Sequence, residues 1–349
     1  MRKIVEFIRK ERLYILLLIF VALVSFIVSS GSHKEKARQQ KTVISQEKKA
    51  EESLLKNQQI EKVLQDDKQL ARIFIIASLL IMMVLFLGVA VDVVLFARRL
   101  SGNILDIHTY RPGAVSWNLV DVVRVVILFL FFGYVLVMME SFLARTFPII
   151  KNDDLRMIFN STILDGLVIV FIIYFALRQY GQKLASLGIA FKNFSANVFY
   201  GVVGYIAILP ALFLILILTS IVTNIIHYTP KEQVVVELFM RQSNPLFLFY
   251  TSIFAAIAGP IVEELFFRGF MYGAVKKYIG VFWATMITSA LFAALHTHAV
   301  GFLPIMVLGI LLAYLYERTG TLVSSVTVHM MHNFSMVLLV FLAKSVKGM

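Results

Sequence analysis

Three groups of polar residues interrupt apolar sequence in the last third of the chain. The first is Glu263-Glu264-Leu265-Phe266-Phe267-Arg268, just after Gly259-Pro260. The second is Phe292-Ala293-Ala294-Leu295-His296. The third is His329-Met330-Met331-His332-Asn333. Two acids, several imidazoles and an amide form a set able to take a proton from water and to donate hydrogen bonds to a developing oxyanion. Hydrolysis of a peptide bond needs both. Spacing then sorts the residues. Glu264 and Arg268 stand at i and i+4 with the acid first, the favourable order for a pair on one helix face. Glu263 points about 100° away. A membrane-edge salt bridge accounts for Glu264 and Arg268 and leaves Glu263 unexplained. Pro260 removes a backbone donor just ahead of the acids and predicts a kink. Phe292 and His296 share a helix face, as do His329 and Asn333. Taken alone, His296 reads equally well as a hydrogen-bonded core histidine. His298 reads as a loop residue. His332 reads either as a member of the site or as a hydrogen-bonding partner of a neighbouring helix.

The surrounding sequence makes these residues expensive. The chain has 349 residues, 59% hydrophobic and 15% charged. Soluble domains average about 45–50% apolar and about 25% charged. An ordinary soluble enzyme is excluded, and so is a wholly disordered chain. An ionisable group inside a membrane span costs about 2.5–3.5 kcal/mol on insertion scales, so a functional role is its default reading. Weaker candidates are Asp92, Asp121, Arg124, Glu140 and Asp165. Most lie near span ends, where snorkelling suffices. Glu140 and Asp165 lie deeper and read as hydrogen-bonding groups between helices. The absence of cysteine removes disulfides, Cys-ligated zinc, iron–sulfur clusters and thiol nucleophiles. The net charge of +12 reads as topology and anionic-lipid contact rather than nucleic-acid binding.

Nine apolar stretches are long enough to span a bilayer: roughly 13–30, 73–97, 119–143, 157–177, 199–226, 246–268, 281–300, 301–317 and 321–343. Their periodicity is helical, not the ten-residue alternation of a β-barrel. The expected fold is an all-α, polytopic membrane helix bundle of about nine transmembrane helices. A charged helical arm lies between the first two. Arg2, Lys3, Arg9, Lys10 and Arg12 precede the first stretch, which reads as an uncleaved signal anchor with the N-terminus inside. Residues 31–72 hold 10 Lys and Arg and 7 Asp and Glu. Their best heptad seam is poor, so the segment reads as a solvated arm, with partner binding or self-association as the alternative. The chain shows no internal repeat, glycine-rich phosphate loop, HExxH motif or GxSxG elbow.

The three motifs occur in order within 71 residues of an apolar bundle. This set resembles the CPBP family, the CAAX-protease and bacteriocin-processing intramembrane endopeptidases also called Abi proteins. The resemblance covers about 199–344. It implies that Glu263 activates a water, that His296 positions that water or shares its proton, and that His329 and Asn333 donate to the oxyanion. Glu264 and Arg268 would hold the first motif in shape, and Phe292 would pack beneath His296. No resident cofactor is favoured. Zinc on Glu263, His296 and His329 is the alternative, since two imidazoles and a carboxylate leave an open position. The expected organisation is an anchor and charged arm over 1–72, accessory helices over 73–198 and a catalytic core over 199–344. Expected partners are membrane lipid and a membrane-associated protein or peptide substrate, in a bacterial plasma membrane. Rival readings are a non-proteolytic regulator or immunity protein on the same scaffold, and a transporter or proton relay. The enzyme reading carries one geometric demand. Glu263 stands late in one stretch and His296 late in the next, which runs back. They meet only near mid-depth, or if the first of these helices is long, tilted or bent at Pro260.

Overall fold

The computed structural model describes residues 2–39, 68–102, 114–143, 152–228, 233–296 and 300–347. The described residues are helical with short connections, and none of them lies in a strand. The helices are α1 (Arg2–Gln39), α2 (Lys68–Leu100), α3 (Leu119–Leu143), α4 (Asp153–Ile173), α5 (Phe194–Ile225) and α6 (Val234–Arg241). They continue as α7 (Pro245–Ile253), α8 (Gly259–Glu264), α9 (Gly273–Leu295), α10 (Phe302–Thr319) and α11 (Leu322–Lys347). π-helical turns follow α4 (Tyr174–Gln179) and join α7 to α8 (Phe254–Ala258) and α8 to α9 (Leu265–Tyr272).

Seven helical runs among the described residues are long and apolar enough to cross a membrane: Ala71–Leu100, Leu119–Leu143, Asp153–Gln179, Phe194–Ile225, Pro245–Leu295, Phe302–Thr319 and Leu322–Ser345. The protein is an integral, multi-pass, all-α membrane protein. The seven runs hold eight of the nine expected stretches, because 246–268 and 281–300 fall largely in the single run Pro245–Leu295. The remaining stretch, 13–30, lies inside α1. The charged arm over 31–72 lies mostly outside the described residues; the helix reaches Gln39 and resumes at Lys68.

The chain forms two compact units. One comprises Met1–Phe74, Val123–Leu167 and Ser345–Met349, the other Ile75–Val122 and Val168–Lys344. In the first unit, α1 is tied to α3 by a buried ion pair. Arg124 Nε donates to Glu11 Oε2 at 2.9 Å, and Nη2 donates to Oε1. The guanidinium also lies 5.2 Å from the Tyr14 ring centroid. Deeper along the same helices, Phe20 and Phe131 meet edge to face, and Ser25 and Tyr134 share a hydrogen bond. Glu140 accepts from Asn160 at 3.1 Å, the interhelical role expected of it.

In the second unit the three motifs lie on α8, the π turn after it, α9 and α11, with α10 packed against α9 and α5. At one end α5 and α11 are joined by small and polar groups. Asn197 donates to Thr321 Oγ1 at 3.1 Å, and Ser324 donates to the Asn197 carbonyl at 2.9 Å. Close approach of helices through such side chains is the usual packing device in lipid, where apolar burial alone gives little preference.

Candidate active site

The helix carrying Glu263 starts at a firm cap. Asn244 Oδ1 accepts from the backbone N–H groups of Leu246 and Phe247, and Pro245 occupies the first turn, where its missing donor costs nothing. The helix does not end near residue 268. It runs on to residue 279, about three turns further. At Gly280 the backbone takes φ 74° and ψ 178°, a conformation open to glycine and strained for other residues. The chain reverses there, and residues 281–295 return antiparallel. Phe267 thus meets Phe292 with centroids 5.2 Å apart. The same register brings Glu263 opposite His296. The demand set by the sequence is met by a long first arm, in which Glu263 lies well inside rather than near the end.

A second local feature sets the direction of the site. The Gly259 N–H donates to the Phe254 carbonyl, five residues back. The next carbonyl in that register, on Ala255, needs an N–H from residue 260, which is proline and has none. Asn333 on α11 supplies the missing donor: its Nδ2 lies 2.9 Å from the Ala255 oxygen. A lone backbone acceptor inside a membrane helix is costly, so this bond ties α11 to the irregular turn. Single π turns of this kind commonly mark functional segments.

Within this frame Glu264 is sealed. Its side chain is 0% exposed, and Oε1 accepts from Arg268 Nη1 at 2.5 Å. The same oxygen lies 3.0 Å from His329 Nδ1. Arg268 is 1% exposed and also donates to the Gly309 carbonyl at 3.2 Å. Phe292 is the common floor. Its ring centroid lies 4.7 Å from that of His296 and 5.4 Å from that of His329, and the Arg268 guanidinium stacks over it at 4.6 Å.

Glu264 Oε2 is buried without a hydrogen-bond partner. Glu263 is the more accessible acid, its side chain 36% exposed, and its Oε2 is also buried and without a hydrogen-bond partner. That oxygen lies 3.9 Å from His296 Nε2 and 3.7 Å from His329 Nε2. Both separations exceed direct hydrogen bonding, the range in which a bridging water is the natural link. The second nitrogen of each ring is held. His296 closes the end of α9, where its N–H bonds to the Ala293 carbonyl in a tightened last turn. Its Nδ1 then takes the Phe292 carbonyl at 2.8 Å. A carbonyl only accepts, so Nδ1 carries a proton, and Nε2 is the nitrogen that faces Glu263.

Two matches to known proteins bear on this geometry. Residues 244–335 match the family described as type II CAAX prenyl endopeptidase Rce1-like. The family resemblance is borne out. The chain is also 32% identical over 98 residues to a Bacillus subtilis (strain 168) protein named "Putative membrane peptidase YdiL". That alignment covers 28% of this chain and 38% of the relative, so the chain spans well under half of the relative's length. No solved structure matches.

All seven residues that carry the CPBP resemblance come together in the second unit. Other polar residues do not join them. His298 lies outside the described residues. His332 turns its ring edge to Tyr205, at 6.2 Å between centroids. Asp121 caps the start of α3, accepting from Tyr180 and from the Asn118 N–H. Arg124 is the partner of Glu11, Asp92 is exposed on α2, and Asp165 is half-buried on α4. Among the described residues, no group of three or more His, Asp or Glu side chains has the placement of a metal site. Zinc bonds of about 2.1 Å set donor atoms roughly 3.4 Å apart in a tetrahedron. Glu263 Oε2 lies 3.9 and 3.7 Å from the two imidazole nitrogens, somewhat wider than that spacing.

Proposed function

We propose that this chain is an intramembrane endopeptidase of the CPBP type that hydrolyses peptide bonds of membrane-associated protein or peptide substrates. Residues 199–344 are its catalytic core, in a bacterial plasma membrane. One observation carries the reading: the part-exposed Glu263 side chain keeps one oxygen without a hydrogen-bond partner, facing two imidazole nitrogens inside an apolar bundle.

Glu263 acts as the base. It takes a proton from water as the water oxygen bonds to the substrate carbonyl carbon and the carbonyl electron pair moves to oxygen. His296 accepts the other hydrogen of that water through Nε2 and fixes its direction. As the tetrahedral intermediate collapses, the C–N bond breaks and Glu263 returns its proton to the departing amine. The developing oxyanion is met by His329 and Asn333. One amide N–H of Asn333 already bonds to Ala255, so the other serves the oxyanion. His329 is held through Nδ1 at Glu264, which leaves its Nε2 turned toward Glu263 and the oxyanion. Arg268 and Glu264 hold His329, and Phe292 holds both rings.

No step in this scheme passes through a metal. Turnover of a cleaved peptide by the purified protein should survive metal stripping with phenanthroline. Loss of turnover that zinc restores would replace the scheme with a metal-dependent one. Turnover that continues unchanged in Glu263→Gln would remove the assigned base.

A further inference from the structure

The helix that carries Glu263 is irregular on both sides of it, with one π turn before α8 and another after. Each π residue turns the helix less than an α residue does, so the register of these turns sets where Glu263 points. The first turn is held by Asn333 on the Ala255 carbonyl. The second is held from a segment outside both the three motifs and the matched residues 244–335. Trp117, fully buried, stacks on Phe270 with centroids 5.3 Å apart and an interplanar angle of 19°. Its indole N–H donates to the Phe270 carbonyl at 2.8 Å. Phe270 stands two residues after Arg268, within the second π turn.

The segment that bears Trp117 is itself fastened to this helix. Lys277 Nζ donates to the Trp117 carbonyl at 2.8 Å. A Cβ at Gly273 would meet Val115 at 3.2 and 3.3 Å, so residue 115 lies directly against the helix backbone. Gln182 donates to Ser116 Oγ at 2.7 Å and ties the segment from its outer side.

We infer that Trp117 is a positioning residue for the site: with Asn333 at the other end, it clamps the two π turns that aim Glu263 at His296 and His329. This rests on the endopeptidase reading above. Trp117 touches none of the reacting groups. It acts through the carbonyl and ring of Phe270, and so through Arg268, which orders Glu264 and His329.

The test is Trp117→Phe, which keeps a ring on Phe270 and removes the donor. The chain has no cysteine. Ile261→Cys and Leu303→Cys, both at exposed positions, therefore take a nitroxide pair that reports the setting of α8 against α10 without substrate. The clamp predicts a shifted or broadened label distance in Trp117→Phe, with kcat down about tenfold and KM within twofold. Lys277→Met, which frees the Trp117 carbonyl, should move both readouts the same way by less, and it serves if Trp117→Phe fails to fold. An unchanged label distance overturns the clamp whatever happens to turnover. A changed distance with unchanged kcat overturns its role in positioning. If no Glu263-dependent turnover exists, the endopeptidase reading fails by itself, and the label distance still decides whether Trp117 holds the helix.

Discussion

Two groups of buried charge can be set side by side. In the first unit, Glu11 and Arg124 form a bidentate pair capped by the Tyr14 ring. Both carboxylate oxygens of Glu11 accept, and the side chains are 7% and 10% exposed. In the second unit, Glu264 and Arg268 form a pair more deeply buried still, 0% and 1% exposed, with Glu264 Oε2 left without a partner, and the residue before it does not join. Glu263 is 36% exposed and leaves one oxygen facing two imidazoles. A carboxylate whose acceptors are filled and sealed holds helices together. A carboxylate that is reachable, unfilled and aimed at other titratable groups is available for chemistry.

The largest expected effect breaks the sealed pair of the second unit. Arg268→Met leaves Glu264 as an uncompensated buried charge and should cost about 3–5 kcal/mol of folding stability, read by thermal unfolding in detergent. Stability within 1 kcal/mol of the parent would mean that Glu264 finds another partner and that the contrast is overdrawn. In the first unit, Arg124→Met should destabilise in the same manner. Adding Glu11→Gln should recover part of the loss, because a buried pair replaced as a whole is often nearly neutral. Turnover per folded molecule should hold in both variants. A loss of turnover there would give the first unit a part in the site.

Smaller still is the effect of Gly280→Ala. At φ 74° and ψ 178°, a conformation kept almost entirely to glycine, a side chain costs roughly 1–3 kcal/mol, visible as a modest fall in thermal midpoint. A gain in stability would show that the reversal does not need the glycine conformation.

The sequence makes some of this legible and hides the rest for definite reasons. Helical spacing alone pairs Glu264 with Arg268 and sets Phe292 beside His296, because i and i+4 neighbours meet on any helix. It separates Glu263 from Glu264 for the same reason. The expected end at 268 was too early. Residues 269–279 mix apolar groups with Lys276 and Lys277, so an apolar window stops short while the helix continues. The reversal then depends on one glycine, which carries no periodic signal. The bond from Asn333 to Ala255 follows from Pro260 only once the π turn is known, since in an ordinary α turn the Gly259 N–H would serve that carbonyl. Trp117 gave no signal at all: it is one aromatic residue beside an apolar stretch, and its partner lies 153 residues away.

The central claim is that Glu263 is the base and Glu264 is not. The most direct measurement compares peptide turnover by Glu263→Gln with that of the parent protein, at matched folded fraction by thermal unfolding. Glu263 has no hydrogen bond through Oε2 to lose, so the variant should keep the parent's stability within about 1 kcal/mol. Turnover should fall by about a thousandfold or more, the order expected when a general base and the charge it supplies are removed together. A stable Glu263→Gln protein that cleaves the peptide at the parent's rate would contradict the account.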